Sequence, residues 1–190
     1  MKLISTLLAS MLAVMATQAA AQGPKPVTDC PLRNMPFSAA TPMIDILLSD
    51  QAKAAVEQVV PGRISKLPAD FMGTSAPTFA AIVDLNAAAS LLRFTPEQVA
   101  EIDRRLRQVP VTAADKVARC ARYDNERPAL PIAKGKINIL VFDKVNGFYH
   151  KEAIPAARKA MQALADSKGW SVAFTDKGGS INRATLRQFD

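Results

Sequence analysis

Residues 137–154 read INILVFDKVNGFYHKEAI, and their reading decides the fold. The run INILVF at 137–142 is almost wholly apolar and rich in β-branched side chains. Such a run suits a strand covered on both faces, as in a parallel sheet. A polar loop containing Gly147 comes next, and it ends at His150, the one histidine of the chain. Ile154, Ala157, Met161 and Leu164 then recur at helical spacing, and Lys168-Gly169 stops that helix. WSVAFT at 170–175 is a second strand candidate. DKGGSINRATL turns into a short last helix that carries Asn182, Ala184 and Leu186. The order β–α–β–turn–α, with short connections, predicts the opening of an open α/β sheet. Two parallel strands alone leave open edges and faces. The pattern therefore predicts a partial sheet, whose further strands fall after residue 190.

Upstream, ERPALPIAKGK at 126–136 breaks the pattern, because each proline restricts its own backbone and that of the residue before it. The domain boundary is expected near residue 130, with a helical region over 22–130 and the α/β part over 136–190. Within the helical region, Thr41 reads as a cap with Pro42 in the first turn, and Ser49 breaks and recaps the segment. Ala52, Val56, Val59 and Val60 form an apolar stripe that Pro61-Gly62 ends. The run at 79–83 reads as buried helix rather than strand, with Asp84 or Asn86 capping a short helix through Leu92. Thr95-Pro96-Glu97-Gln98 is a capping box with proline at the first position. It precedes the stripe Val99, Ile102, Leu106 and Val109. Thr112 caps another helix, with Val117, Cys120 and Tyr123 on its inward side.

The first 21 residues read as a signal peptide. Lys2 is a positive start, the apolar stretch is about 13 residues against the ~20 of a membrane span, and Ala19 and Ala21 fit a cleavage site. The mature chain is expected in the periplasm or secreted, with no transmembrane segment. Cys30 and Cys120 are then in a compartment that tolerates a disulfide, worth about 4–5 kcal/mol on chain entropy. The alternative is two free thiols. Neither cysteine has the spacing of a redox or zinc motif. A net charge of +7 is spread along the chain without a nucleic-acid reader motif, so nucleic acid is not an expected partner. Oligomeric state has no signature.

Ligands of open α/β sheets bind outside the carboxyl ends of the strands. The loop 143–150 leaves such an end and brings Asp143, Lys144, Asn146, Gly147, Phe148, Tyr149 and His150 to the site edge. His150 is the candidate acid–base or hydrogen-bonding group, and Asp176, after the second strand, is its candidate partner. The plainer readings are a helix cap for His150, a strand end for Asp143, a turn for Gly147 and a solvated charge for Lys144. One histidine makes a poor metal site, so no metal is expected. The loop lacks the glycines of a nucleotide fingerprint, and no cofactor is indicated.

The stretch KINILVFDKVNGFYHKEAIPAARKAMQALADSKGWSVAFTDKGGSINRATLRQFD resembles the beginning of a ThuA-like (trehalose utilisation) domain. The ILVF strand, the glycine-aromatic-x-histidine loop, the IPAA helix opening and the closing Phe-Asp carry the likeness, over 136–190. The resemblance implies a flavodoxin-like, class I glutamine amidotransferase-like fold without the cysteine nucleophile, and a place in carbohydrate metabolism. Gly147, Phe148 and His150 match the family's Gly-Phe-Arg-His loop, while Tyr149 stands where arginine is usual. A carbohydrate is the ligand this implies. It is either turned over by a hydrolase-like enzyme or held by a non-catalytic sugar-binding or interaction module; an inactive fragment is the third reading.

Overall fold

Caps divide the N-terminal part into short helices. The computed structural model describes residues 21, 23–68, 71, 73–134 and 136–190; the segment read as a signal peptide lies outside the described residues but for Ala21. Helix α1 (Met43–Leu48) and helix α2 (Asp50–Glu57) meet at Ser49, whose hydroxyl accepts the Ala52 N–H at 3.4 Å. Thr41 does not cap α1. Its hydroxyl accepts the Ser38 N–H at 2.9 Å, and Pro42 is the cap residue. The reason is tertiary: Pro42 is held extended in an antiparallel bridge with Asp84, beside a 2.9 Å hydrogen bond from Met43 N–H to the Val83 carbonyl.

The run at 79–83 forms a 3-10 turn over Phe79–Ala81. Helix α3 (Leu85–Leu92) comes after it, capped by Asp84, which accepts the Ala87 N–H at 2.7 Å. Helix α4 (Pro96–Leu106) carries the complete capping box of Thr95 and Gln98. Helix α5 (Ala113–Ala121) is capped by Thr112, with Asp115 closing its box. Phe37, Ile44, Ile46, Val56, Ile64, Leu85, Ile102 and Leu106 are the fully buried centre of this part.

Helix α5 turns Cys120 inward as expected, but not Val117. Val117 is 70% exposed, whereas Asp115, Arg119 and Cys120 are buried. The Arg119 guanidinium decides the rotation. Its Nη1 donates to the Leu32 and Met35 carbonyls at 2.9 and 2.5 Å, and its centre lies 4.4 Å over the Phe37 ring. Cys120 forms a disulfide with Cys30 across 90 positions. Together these contacts fasten the proline-rich lead-in to α5.

The C-terminal part holds strand β1 (Asn138–Phe142), helix α6 (Ala153–Lys168) and strand β2 (Ser171–Thr175). The strands are parallel, in register from Asn138↔Ser171 to Phe142↔Thr175. Gly169, at φ 70°, ends α6 and opens the turn into β2. A 3-10 turn at Gly178–Ser180 leads to helix α7 (Arg183–Leu186), capped by Asn182. Successive strand residues face opposite ways. Arg158 of α6 lies 5.5 Å over the Phe174 ring, and Ser180 meets the neighbouring Thr175 hydroxyl at 3.4 Å. Helix α6 and the Gly178–Ser180 turn therefore take opposite faces.

Full burial of β1 is not reached. Phe142 is 43% exposed and Leu164 of the expected α6 stripe is 42% exposed, while Ala165 is the buried residue of α6. A sheet two strands wide is too narrow to cover a 16-residue helix. The architecture is thus mixed α/β: a helical stretch and then a small two-stranded parallel sheet. Among the described residues no helix is long and apolar enough to cross a membrane.

Candidate functional site

The carboxyl ends of β1 and β2 open into a cleft of about 900 Å³ whose opposite wall is the helical part. The ladder continues one residue past β1, with Asp143 N–H donating to the Thr175 carbonyl at 3.1 Å. The Asp143 carboxylate then turns to Arg158 on the second turn of α6. Arg158 Nη2 donates to Oδ1 at 2.8 Å and Nε donates to Oδ2, a two-pronged ion pair. The guanidinium holds the Asp143 carboxyl below the usual carboxylate range, against the effect of burial.

Lys144 is not a free solvated charge. Its Nζ donates to Asp124 Oδ2 at 2.8 Å. The same oxygen accepts the Gly178 N–H at 2.7 Å, and Oδ1 accepts the Glu126 N–H at 3.0 Å. Burial raises the Asp124 carboxyl, and the hydrogen bonds from Lys144, Gly178 and Glu126 outweigh it, leaving the group below its ordinary value. One carboxylate from the linker therefore ties the loop after β1 to the loop after β2. Two further fastenings join the parts: Thr78 N–H donates to the Asn146 carbonyl at 2.8 Å, and Lys177 pairs with Glu126 at 3.3 Å.

Asp143, Asn146, Tyr149, Arg158 and Asp176 line the cleft from the α/β side; Pro77, Ala118, Ala121 and Arg122 line it from the helical side. Among the described residues, each of its three cationic side chains has a carboxylate. Arg158 has Asp143, Lys144 has Asp124, and Arg122 Nη2 donates to both oxygens of the buried Asp45 at 2.5 Å. Asp176 keeps 60% of its side chain exposed, with Lys177 at 3.7 Å.

His150 lies elsewhere. It lines a second depression of about 650 Å³ with Phe79, Gly147, Phe148 and Glu152. Its ring stands edge-on to Phe148 at 5.0 Å, and its carbonyl accepts the Ile154 N–H at 3.2 Å as α6 begins. Among the described residues, neither ring nitrogen has a hydrogen bond. The structure thus brings Asp143, Asn146, Tyr149 and Asp176 together, and separately Gly147, Phe148, Tyr149 and His150; Tyr149 and Pro77 border both spaces. His150 and Asp176 do not form a pair.

Sequence reasoning missed Arg158, Asp124, Arg122 and Asp45. Arg158 was findable, being the charged residue that faces a strand end from the next helix. The pairings of Asp124 and Asp45 span 20 and 77 positions and leave no local pattern. Among the described residues, no group of three or more His, Cys, Asp or Glu side chains is placed to hold a metal ion. No protein-family model, no curated protein and no solved structure matches the chain.

Proposed function

We propose that this chain is an exported ThuA-like protein that recognises a sugar or glycoside in the cleft at the carboxyl ends of β1 and β2. The observation that carries the reading is the pairing of charge. Among the described residues every cation of the wall is neutralised by its own carboxylate, so the cleft offers many hydrogen-bonding groups and little net charge. That chemistry suits a neutral, polyhydroxylated ligand. Asp143 and Arg158, already held by two hydrogen bonds, present unused lone pairs and N–H groups to hydroxyls without reordering. Asn146 and the exposed Asp176 add further partners.

A flavodoxin-like fold is supported by two features. The elements after β1 and β2 take opposite faces of the sheet, as in doubly wound folds. Asp190 N–H donates to the Asn138 carbonyl at 2.9 Å, on the edge of β1 away from β2. That is the place a third parallel strand holds in the order 2-1-3. Export is supported by the apolar N-terminal stretch and by the Cys30–Cys120 disulfide.

Recognition is favoured over hydrolysis. A proton relay needs His150 within hydrogen-bond reach of a carboxylate or of the bound hydroxyls, and His150 faces the other depression. Calorimetric titration of the mature chain with glucose, methyl glucosides and trehalose tests the reading. Binding of at least one sugar is expected, weakened about tenfold by Asp143→Asn, a loss of about 1.4 kcal/mol. Absence of binding by every sugar, or full affinity in the variant, would overturn it.

A further inference from the structure

We propose that Tyr149 and Pro77 form a ridge between two subsites, and that the second subsite takes a flat apolar ring joined to the sugar, so that the ligand is an aryl-type glycoside. This rests on the sugar reading of the cleft and specifies what lies beyond it.

The second depression is built on an aromatic ladder that crosses from the helical part to the loop after β1. Phe71 stacks on Phe79 with centroids 4.8 Å apart, and Phe79 stacks on Phe148 at 6.2 Å, with interplanar angles of 15° and 22°. The ladder ends in the open: Phe148 is 54% exposed and Tyr149 is 43% exposed. Large aromatic faces left to water beside a polar cleft mark a place where an apolar group docks. A further ring laid near-parallel against Phe148 continues the ladder in the offset geometry that aromatic pairs prefer. His150, Lys151 and Glu152 line the slot as well as its aromatic rings, so it is the stacked phenylalanines, not a want of hydrogen-bonding groups, that favour a flat apolar ring.

Continuity between the spaces comes from Tyr149 and Pro77, which line both. A ligand lying across them puts its hydroxyls on Asp143 and Arg158 and its apolar ring on Phe148. His150, T-shaped to Phe148 and with neither ring nitrogen hydrogen-bonded among the described residues, then meets a polar substituent of that ring. Its role is to position the ligand and determine specificity, not to transfer a proton in the cleft.

The test is isothermal titration of the mature chain with methyl glucopyranoside, phenyl glucopyranoside of the same anomeric form, trehalose and phenol. Phenyl glucoside is expected to bind about tenfold tighter than methyl glucoside. Phe148→Ala, a change at an exposed side chain, should erase that advantage and leave methyl glucoside unaffected. Asp143→Asn should weaken both. Equal affinities for the two glucosides, or equal losses in Phe148→Ala, overturn the slot and leave the cleft standing. A gain for trehalose through Phe148 as large as that for phenyl glucoside overturns the aryl assignment in favour of a second sugar ring. Phenol bound through Phe148, with nothing added by the glucosyl group, overturns the cleft reading and leaves the slot standing.

Discussion

At Gly179 the linker backbone comes so near that a Cβ would stand inside 3.0 Å of the Asn125 carbonyl carbon and the Glu126 oxygen. Neither is able to move without unseating Asp124. At Gly147 a Cβ would meet Ile82 Cδ1 at 2.5 Å, the far end of a flexible side chain that is 57% exposed. The two glycines should therefore behave differently. Gly179→Ala is expected to destabilise by about 1–3 kcal/mol as overpacking against backbone, and Gly147→Ala by less than about 1 kcal/mol. Denaturant unfolding of the two variants checks this, and equal effects would mean that the linker is not seated on the β2 loop. Neither glycine's neighbour was legible in the sequence. Gly147 read as a turn, and its close approach to Ile82 spans parts of the chain that no local pattern relates.

Among the elements, the caps were the most legible feature. Ser49, Asp84, Thr95 and Thr112 each cap the helix after them with side-chain oxygens that reach only three residues along the chain; Asn182, read as part of the last helix, caps it instead. The strands were legible as short apolar runs. Helix faces were less so: Val117 is outward because Arg119, bound to the Leu32 and Met35 carbonyls, sets the rotation of α5. The loops after β1 and β2 are joined through Asp124, and this has a pH signature. Asp124 lies below its ordinary 3.8 in the folded chain. Its contribution is thus complete above the unfolded value and is lost as pH falls through the lower, folded one. Asp143, held down by Arg158, acts in the same direction. Below pH 3.8, amide exchange at Gly178 and across the 143–150 loop should quicken together. Asp124→Asn should flatten much of that response. Quickening confined to one loop would show that the carboxylate is not the shared tie.

For the whole molecule, the disulfide is the longest covalent constraint, closing 90 positions from the lead-in to the end of α5. Replacing Cys30 and Cys120 with serine is expected to lower unfolding free energy by about 4–5 kcal/mol, from the loop entropy returned to the unfolded chain. Denaturant unfolding measures this, and an unchanged midpoint would place the stability of the helical part in its apolar core alone. The sequence by itself determined most of the helices, the caps at Ser49, Asp84, Thr95 and Thr112, the two strands and the change of period near residue 130, because propensity and capping are set by neighbours a few residues apart. It also put Asp143, Asn146, Tyr149 and His150 on one loop. Only the tertiary structure decided that this loop faces two spaces rather than one, that Arg158 and Asp124 hold its start, and that the helical part walls the cleft. Those outcomes depend on ion pairs and backbone contacts between segments remote in the chain, whose strength comes from burial and geometry that no short stretch of sequence encodes.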